Sequence, residues 1–269
     1  MHAPATSAII DPELLLLAYR SGIFPMADRR DDPEIFWVEP RRRAVLPLDG
    51  FHLSHSLTRT LRRDRFVLSC NAAFAEVMEA CAAPRRSDSG ESWISHRIKA
   101  SYQRLHELGH AHSIECWRVA GDGERVFAGG LYGVGFDGAF CGESMFSTQP
   151  DASKVALAFL VAALRRAGAE LLDCQFLTPH LVSLGAVEIT QHRYLRLLRK
   201  AQGYSAAGGV GAGAGLGGPA AAGGAGDRSG DGKRLVLALP EACAALLAEA
   251  EASSSSPGNF IAHCLSQTS

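Results

Sequence analysis

The first strong pattern in the chain is an apolar run, Leu14 to Ala18, preceded by Asp11-Pro12-Glu13 and followed by Gly22. Asp11 can cap free amides, Pro12 sits where no amide donor is needed, and Gly22 can take the left-handed conformation that ends a helix. A helix is expected there. Gly22 to Met26 reads as an apolar turn, Ile35 to Val38 as a short buried strand halted by Glu39-Pro40, and Ala44 to Leu46 as another strand. His55 to Arg65 resembles a basic amphipathic helix, and Phe66 to Ser69 a strand. Asn71 is placed to cap a helix that ends near Pro84, with a polar loop from Arg85 to Glu91.

Ile98, Tyr102, Leu105 and Leu108 recur at helical spacing over 94–108, and Gly109 is a stop signal. His112 to Val119 and residues 125–136 read as antiparallel strands joined by Gly121-Asp122-Gly123. Asp137-Gly138 marks a second hairpin into Ala139-Phe140-Cys141. Ser153 to Arg166 is expected to be helical, Leu171 to Gln175 a buried strand, Pro179 to Leu184 a short helix and Gln191 to Ala201 a terminal helix. The order of elements predicts an α+β layered fold without repeated βαβ units.

Composition changes this picture mainly near the C-terminus. The chain has 269 residues, enough for one large domain or a main domain with a smaller partner. From Ala206 to Gly232 it is almost wholly Gly and Ala, and 253–258 reads SSSSPG. Such stretches cannot offset the entropy of ordering and are expected to be mobile. The net charge of -1 does not announce a nucleic-acid binder. Arg29, Arg30, Arg41, Arg42, Arg43, Arg59, Arg62, Arg63 and Arg65 are nevertheless concentrated early in the chain, where they form either a phosphate-attracting surface or a dispersed solvated face. The seven cysteines contain no CxxC pair and read as reduced thiols. No signal peptide or membrane-length apolar run is expected.

His106-Glu107-Leu108-Gly109-His110 matches the letters of the HExxH zinc motif. That chemistry needs both histidines on one continuous helix, and Gly109 is expected to end the helix between them. Residues 129–135, GGLYGVG, lack the order of a nucleotide loop. Glu143, in FCGESMFS at the end of an expected strand, reads either as a carboxylate satisfying loop amides or as one held in a pocket to meet an amine. Asp173 and Gln175 share one face of a strand while Cys174 points away. Either they form a satisfied structural network, or Asp173 accepts an N–H from Gln175 and leaves the Gln175 carbonyl oxygen for an incoming amine.

Several segments resemble the bacterial leucyl/phenylalanyl-tRNA-protein transferases: LLLAYRSGIFPM at 15–26, IFWVEPRRRAVLP at 35–47 and ESWISHRIKASYQRLHELGHAHSIECW at 91–117, then GGLYGV, FCGESMFS, ASKVAL and LLDCQFLTPHLVSLGAVEI at 171–189. They run in family order over roughly positions 12–204. The resemblance implies a small N-terminal α/β domain (1–64) and a larger domain like the N-acetyltransferases, or GNAT-like (65–204). A Gly/Ala-rich insertion (205–232) and a weakly assigned segment (233–269) follow.

The same resemblance implies transfer of leucine or phenylalanine, and methionine less well, from aminoacyl-tRNA to proteins beginning with arginine or lysine, marking them for degradation. It implies Glu143, Gln175 and Asp173 as catalytic residues. Trp37, Trp93, Phe140, Met145 and Ser144 would bind the transferred side chain and terminal adenosine, and Arg42, Arg43, Arg59, Arg62 and Arg63 would meet tRNA phosphates. No cofactor or metal is implied. A monomer in the cytoplasm is expected, and Glu143→Gln and Asp173→Ala are expected to reduce transfer more than folding stability. The chain departs from the family in lacking an upstream GGDL segment, in carrying Val38 for the second tryptophan of the WW pair, and in the insertion after Gly203. The final GNFIAHCLSQ is expected to resume a C-terminal strand, and residues 233–252 either form a small strand and helix or stay loosely attached. An acetyl-CoA-dependent N-acetyltransferase is the nearest rival, but its pyrophosphate turn is replaced by MFSTQPDASK. A non-catalytic module for protein N-termini or RNA is the other.

Overall fold

The computed structural model describes residues 9–83, 92–121, 123–204 and 238–267. The expected loop Arg85–Glu91, the turn residue Asp122 and the Gly/Ala-rich segment lie outside the described residues.

The elements are α1 (Pro12–Arg20), β1 (Phe24–Met26), β2 (Phe36–Val38), β3 (Arg42–Val45), α2 (His55–Arg62), β4 (Val67–Cys70), α3 (Phe74–Ala82), α4 (His96–Glu107) and β5 (Ala111–Val119). They continue with β6 (Arg125–Phe136), β7 (Ala139–Ser147), α5 (Ala152–Arg166), β8 (Leu171–Gln175), α6 (Pro179–Val182), β9 (Val187–Thr190), α7 (Gln191–Ala201), α8 (Leu239–Ala252) and α9 (Pro257–Ser266). Seven strands form one mixed sheet in the order β4-β5-β6-β7-β8-β3-β9, and β1 and β2 pair separately. Only β7 and β8 run parallel among the pairs of the large sheet. The arrangement is a mixed α/β fold with helices on both faces.

Helices α2, α5, α8 and α9 share one core with Ile114, Leu131 and Leu172, and α1, α3, α4 and α7 share the other with Tyr132, Val134 and Leu171. Covering both faces explains the apolar run of β6, where residues 128–136 are all buried. Local signals acted as the sequence predicts at several helix ends. Asp11 accepts from the amides of Glu13 and Leu14, Ser95 caps α4, and Gly109 ends α4 at φ +79°. The HExxH letters are therefore split: His106 sits in the last turn of α4, donating through Nδ1 to the Ala111 carbonyl at 2.8 Å and stacking on Phe74, while His110 follows the turn.

Other expectations are corrected. The segment expected to turn at Gly22–Met26 contains β1, which pairs with β2. That hairpin stands outside the large sheet, so Phe36 and Trp37 are 43% and 40% exposed rather than buried. Asn71 does not cap α3. At φ +58° its side chain instead accepts from the Ser113 amide at 2.9 Å, tying the start of α3 to β5. The C-terminal segment is not a strand: Ser256 caps α9 with Pro257 in its first turn, and α8 and α9 pack against α5 and α2. Strand β9, not anticipated, is the edge beyond β3.

Gly133 marks the tightest place in β6. A Cβ there would lie 2.3 Å from the Cys141 carbonyl oxygen and 2.5 Å from the Phe140 ring. Gly133→Ala is expected to destabilise the fold by about 1–3 kcal/mol through overpacking, read as a lower urea midpoint with an unchanged slope.

Candidate active site

Two irregularities of the sheet create the site. Along β6 and β7, Tyr132 faces Ser144 and Gly133 faces Gly142, so Glu143 is the extra residue of a bulge. A bulge re-aims its side chain out of the regular alternation. Beside it, the parallel pairing of β7 with β8 runs from Ala139/Leu171 through Phe140/Leu172 to Cys141/Asp173 and stops there. Past that point β8 stays on β3 while β7 stays on β6. A cavity of about 820 Å³ opens where the strands part, lined from β7 by Gly142, Glu143, Ser144 and Met145 and from β8 by Leu172, Cys174 and Gln175. Leu131, Leu157, Leu160 and Leu181 add apolar wall, and Met26, Tyr132 and Trp93 also line it.

Glu143 is the chemical centre of this cavity. Gln175 Nε2 donates to its Oε1 at 2.7 Å, and the Tyr102 hydroxyl donates to its Oε2 at 3.2 Å. Tyr19 in turn hydrogen-bonds the Tyr102 hydroxyl, so two buried phenols lead to the carboxylate. Burial pushes the Glu143 carboxyl up to about 7, against hydrogen bonds from Tyr19, Gln175 and Tyr102 that favour its charged form; the nearby Asp173 adds to the rise. Burial also holds the Tyr19, Tyr102 and Tyr132 phenols well above their ordinary range, so they keep their protons at neutral pH. With Nε2 committed to Glu143, the carbonyl oxygen of Gln175 is the acceptor that the side chain retains.

Asp173 lies behind the cavity with no exposure. Arg43 reaches it from β3, with Nε at 2.9 and 3.0 Å from Oδ1 and Oδ2 and Nη2 at 2.6 Å from Oδ2. Tyr194 donates to Oδ2 at 2.9 Å, and the Gln175 amide donates to Oδ1 at 2.8 Å. Burial opposes the charge on Arg43, but the Asp173 carboxylate outweighs it and holds the guanidinium above its ordinary range.

The family model described as leucyl/phenylalanyl-tRNA protein transferase matches residues 45–199, and that of its N-terminal domain matches residues 9–41. The leucyl/phenylalanyl-tRNA--protein transferase of Novosphingobium aromaticivorans is 63% identical over 262 residues, covering 97% of each chain. The chain belongs to the leucyl/phenylalanyl-tRNA protein transferase family. The protein of the same name from Rhizorhabdus wittichii is 54% identical over 200 residues, 74% of this chain and 78% of that one. Among solved structures, L-PGS from Bacillus licheniformis matches at TM-score 0.33 and 14% identity, over 64% of this chain and 55% of that one. That likeness is too weak to identify a shared fold.

As a member of this transferase family the chain is an aminoacyl-tRNA-dependent enzyme. Of the residues singled out in its sequence, Glu143, Gln175, Trp93, Ser144 and Met145 meet at the cavity. Phe140 does not line it. It precedes the point where the strands part, and its ring is fully buried in the core under α5. Trp37 stays on β2, the exposed strand of the β1–β2 pair, and does not line the cavity, whereas Met26, opposite Phe36 on β1, does. Arg43 is 1% exposed and spent on Asp173, so it cannot serve as a phosphate contact. Arg42, Arg59, Arg62 and Arg63 are exposed, Arg42 lying 3.9 Å from Glu188. Asp173 and Gln175 do not share a face with Cys174 turned away: Gln175, at φ +59°, lines the cavity with Cys174, Asp173 lies behind it, and the expected bond from the Gln175 side chain to Asp173 is replaced by one from its backbone amide. The sequence reading also missed the phenols: Tyr102 was legible as one residue of the apolar stripe of α4, but nothing local indicated that its hydroxyl would meet Glu143, 41 positions away.

Proposed function

We propose that the cavity receives the acyl end of leucyl- or phenylalanyl-tRNA, and methionyl-tRNA less well, and transfers the amino acid to the α-amine of proteins beginning with arginine or lysine, marking them for degradation. The observation that carries this reading is the contact of Glu143 with Gln175 at one end of an otherwise largely apolar cavity. An aminoacyl ester is already activated, so the enzyme has to supply orientation and proton management. The Gln175 carbonyl oxygen accepts a hydrogen bond from the attacking amine and aims its lone pair at the ester carbonyl. The new C–N bond forms as the C–O bond to the ribose breaks. Glu143 takes the amine proton directly or through water, and the departing ribose oxygen gains a proton from it or from the neighbouring hydroxyl. A carboxyl raised to about 7 is matched to that exchange at neutral pH.

Burying a leucine or phenylalanine side chain against Leu131, Leu157, Leu160 and Leu172 favours binding by about 1.5–3 kcal/mol, enough to bias the choice among charged tRNAs. Trp93 offers a ring at the cavity for the terminal adenosine, and Ser144 and Met145 a wall for the acyl group. Arg42, Arg59, Arg62 and Arg63 supply phosphate contacts that position the tRNA without reading its sequence. We read the large sheet as related to the N-acetyltransferase fold, on the support of its parting parallel strands. The small N-terminal unit ends before Arg42, because β3 joins the large sheet. The main domain continues to 204, with 205–232 as an insertion and 233–269 as an added unit. The protein acts as a monomer in the cytoplasm.

The test is transfer of radiolabelled leucine or phenylalanine from tRNA to a peptide beginning with arginine. Label is expected in that peptide and not in one blocked at its α-amine. Transfer of an acetyl group from acetyl-CoA, with none from the charged tRNA, would overturn the reading.

A further inference from the structure

We propose that Arg43 is a positioning residue for the transfer step: its guanidinium fork fixes the Asp173 carboxylate, which in turn fixes the Gln175 backbone so that the carboxamide faces Glu143. This rests on the reading of Gln175 as the group that orients the amine. Gln175 is the last residue of β8 and has φ +59°, a left-handed conformation that a residue with a Cβ holds only when its surroundings impose it. The imposing contact is local: its amide donates to Asp173 Oδ1, two residues earlier. An aspartate alone would not hold that acceptor still. Here Arg43 Nε bridges both carboxylate oxygens while Nη2 and Tyr194 converge on Oδ2.

Arg43 is itself immobilised. Its guanidinium carbon lies 4.7 Å from the Phe24 ring centre and 4.5 Å from that of Tyr194, and Nη1 donates to the Gly22 carbonyl at 3.2 Å. Gly22 follows α1, the helix that carries Tyr19 towards Glu143. One buried side chain thus braces Gln175, through Asp173, and the end of the helix that carries Tyr19. A lysine at 43 would keep the charge but lose the planar fork that grips two oxygens. Stability alone does not call for the pair, since apolar side chains of similar volume are often as stable as a buried ion pair.

The full chain carrying Arg43→Lys, Gln175→Ala or both would be compared for thermal melting and for kcat and KM in transfer from phenylalanyl-tRNA to an arginine-initiated peptide. Arg43→Lys is expected to be folded at the assay temperature, to leave both KM values within about twofold, and to lower kcat about 10- to 100-fold. In the Gln175→Ala background it should lower kcat less than about twofold. An equal loss on both backgrounds, or a raised KM with kcat preserved, overturns the proposal while leaving the role of Gln175 intact. Full activity of Gln175→Ala overturns both. If Arg43→Lys does not fold, Tyr194→Phe decides the matter, because it removes one hydrogen bond from Asp173 and leaves the ion pair. It is expected to lower kcat about fivefold in the parent and not in Gln175→Ala, and equal losses in the two overturn the proposal.

Discussion

Glu143→Gln is expected to yield a protein that is inactive in transfer and more stable than its parent above pH 7. The carboxyl of Glu143 is displaced from an ordinary 4.5 to about 7 in the folded chain, chiefly by burial. Between those values the unfolded chain has released the proton and the folded chain keeps it, so folding takes up a proton. Stability contributed at this site is therefore highest below 4.5, falls as pH rises through the window, and levels off above 7. The full displacement corresponds to roughly 3–4 kcal/mol. A glutamine removes that penalty and can still accept the hydrogen bond from Gln175. It cannot take a proton from the attacking amine, and the limb of the kcat profile near pH 7 should vanish with the activity. Thermal melts at pH 5 and pH 8, with single-turnover transfer, check both halves. A variant destabilised equally at the two pH values, or one that transfers at the parental rate, would refute this account of Glu143.

Asp173→Ala is expected to lose about 3–5 kcal/mol of stability, a large share of the roughly 5–15 kcal/mol that holds a folded protein together. The sequence alone suggested the opposite balance, with transfer suffering more than folding. Arg43 reverses it: the guanidinium is 1% exposed and its principal partner is that carboxylate, so removing Asp173 leaves a cation buried without a counter-charge. Replacing both partners, Arg43→Met with Asp173→Leu, should recover most of the stability in urea titrations and none of the transfer, because Gln175 would still lack its acceptor. A urea midpoint for Asp173→Ala close to that of the parent would show that the charge is neutralised by some other route.

Tyr19 and Tyr102 illustrate how chemistry hides in an apolar pattern. Both occupy core-facing positions of helices, as hydrophobic periodicity demands, and a phenyl ring would satisfy that pattern equally well. Their hydroxyls matter because α1 and α4 pack together over the bulge in β7, a meeting specified by tertiary packing alone. Phe140 errs in the opposite sense. Three positions from Glu143, it looks like part of the same wall, yet the strands are still paired there and its ring goes into the sealed core.

By itself the sequence determined the elements whose signals are local: the capped start of α1, the stop of α4 at Gly109, the hairpins that order β5, β6 and β7, and α5 with its apolar faces. It also singled out Glu143, Asp173 and Gln175 as polar side chains in apolar surroundings, and the family that they indicate. Only the tertiary structure decided that β3 would lie beside β8 and bring Arg43 onto Asp173 across 130 positions, that Glu143 would occupy a bulge, and that β7 and β8 would part into a cavity. Caps, turns and periodicities act over a few residues, whereas strand order and register are set by which whole faces can be buried together.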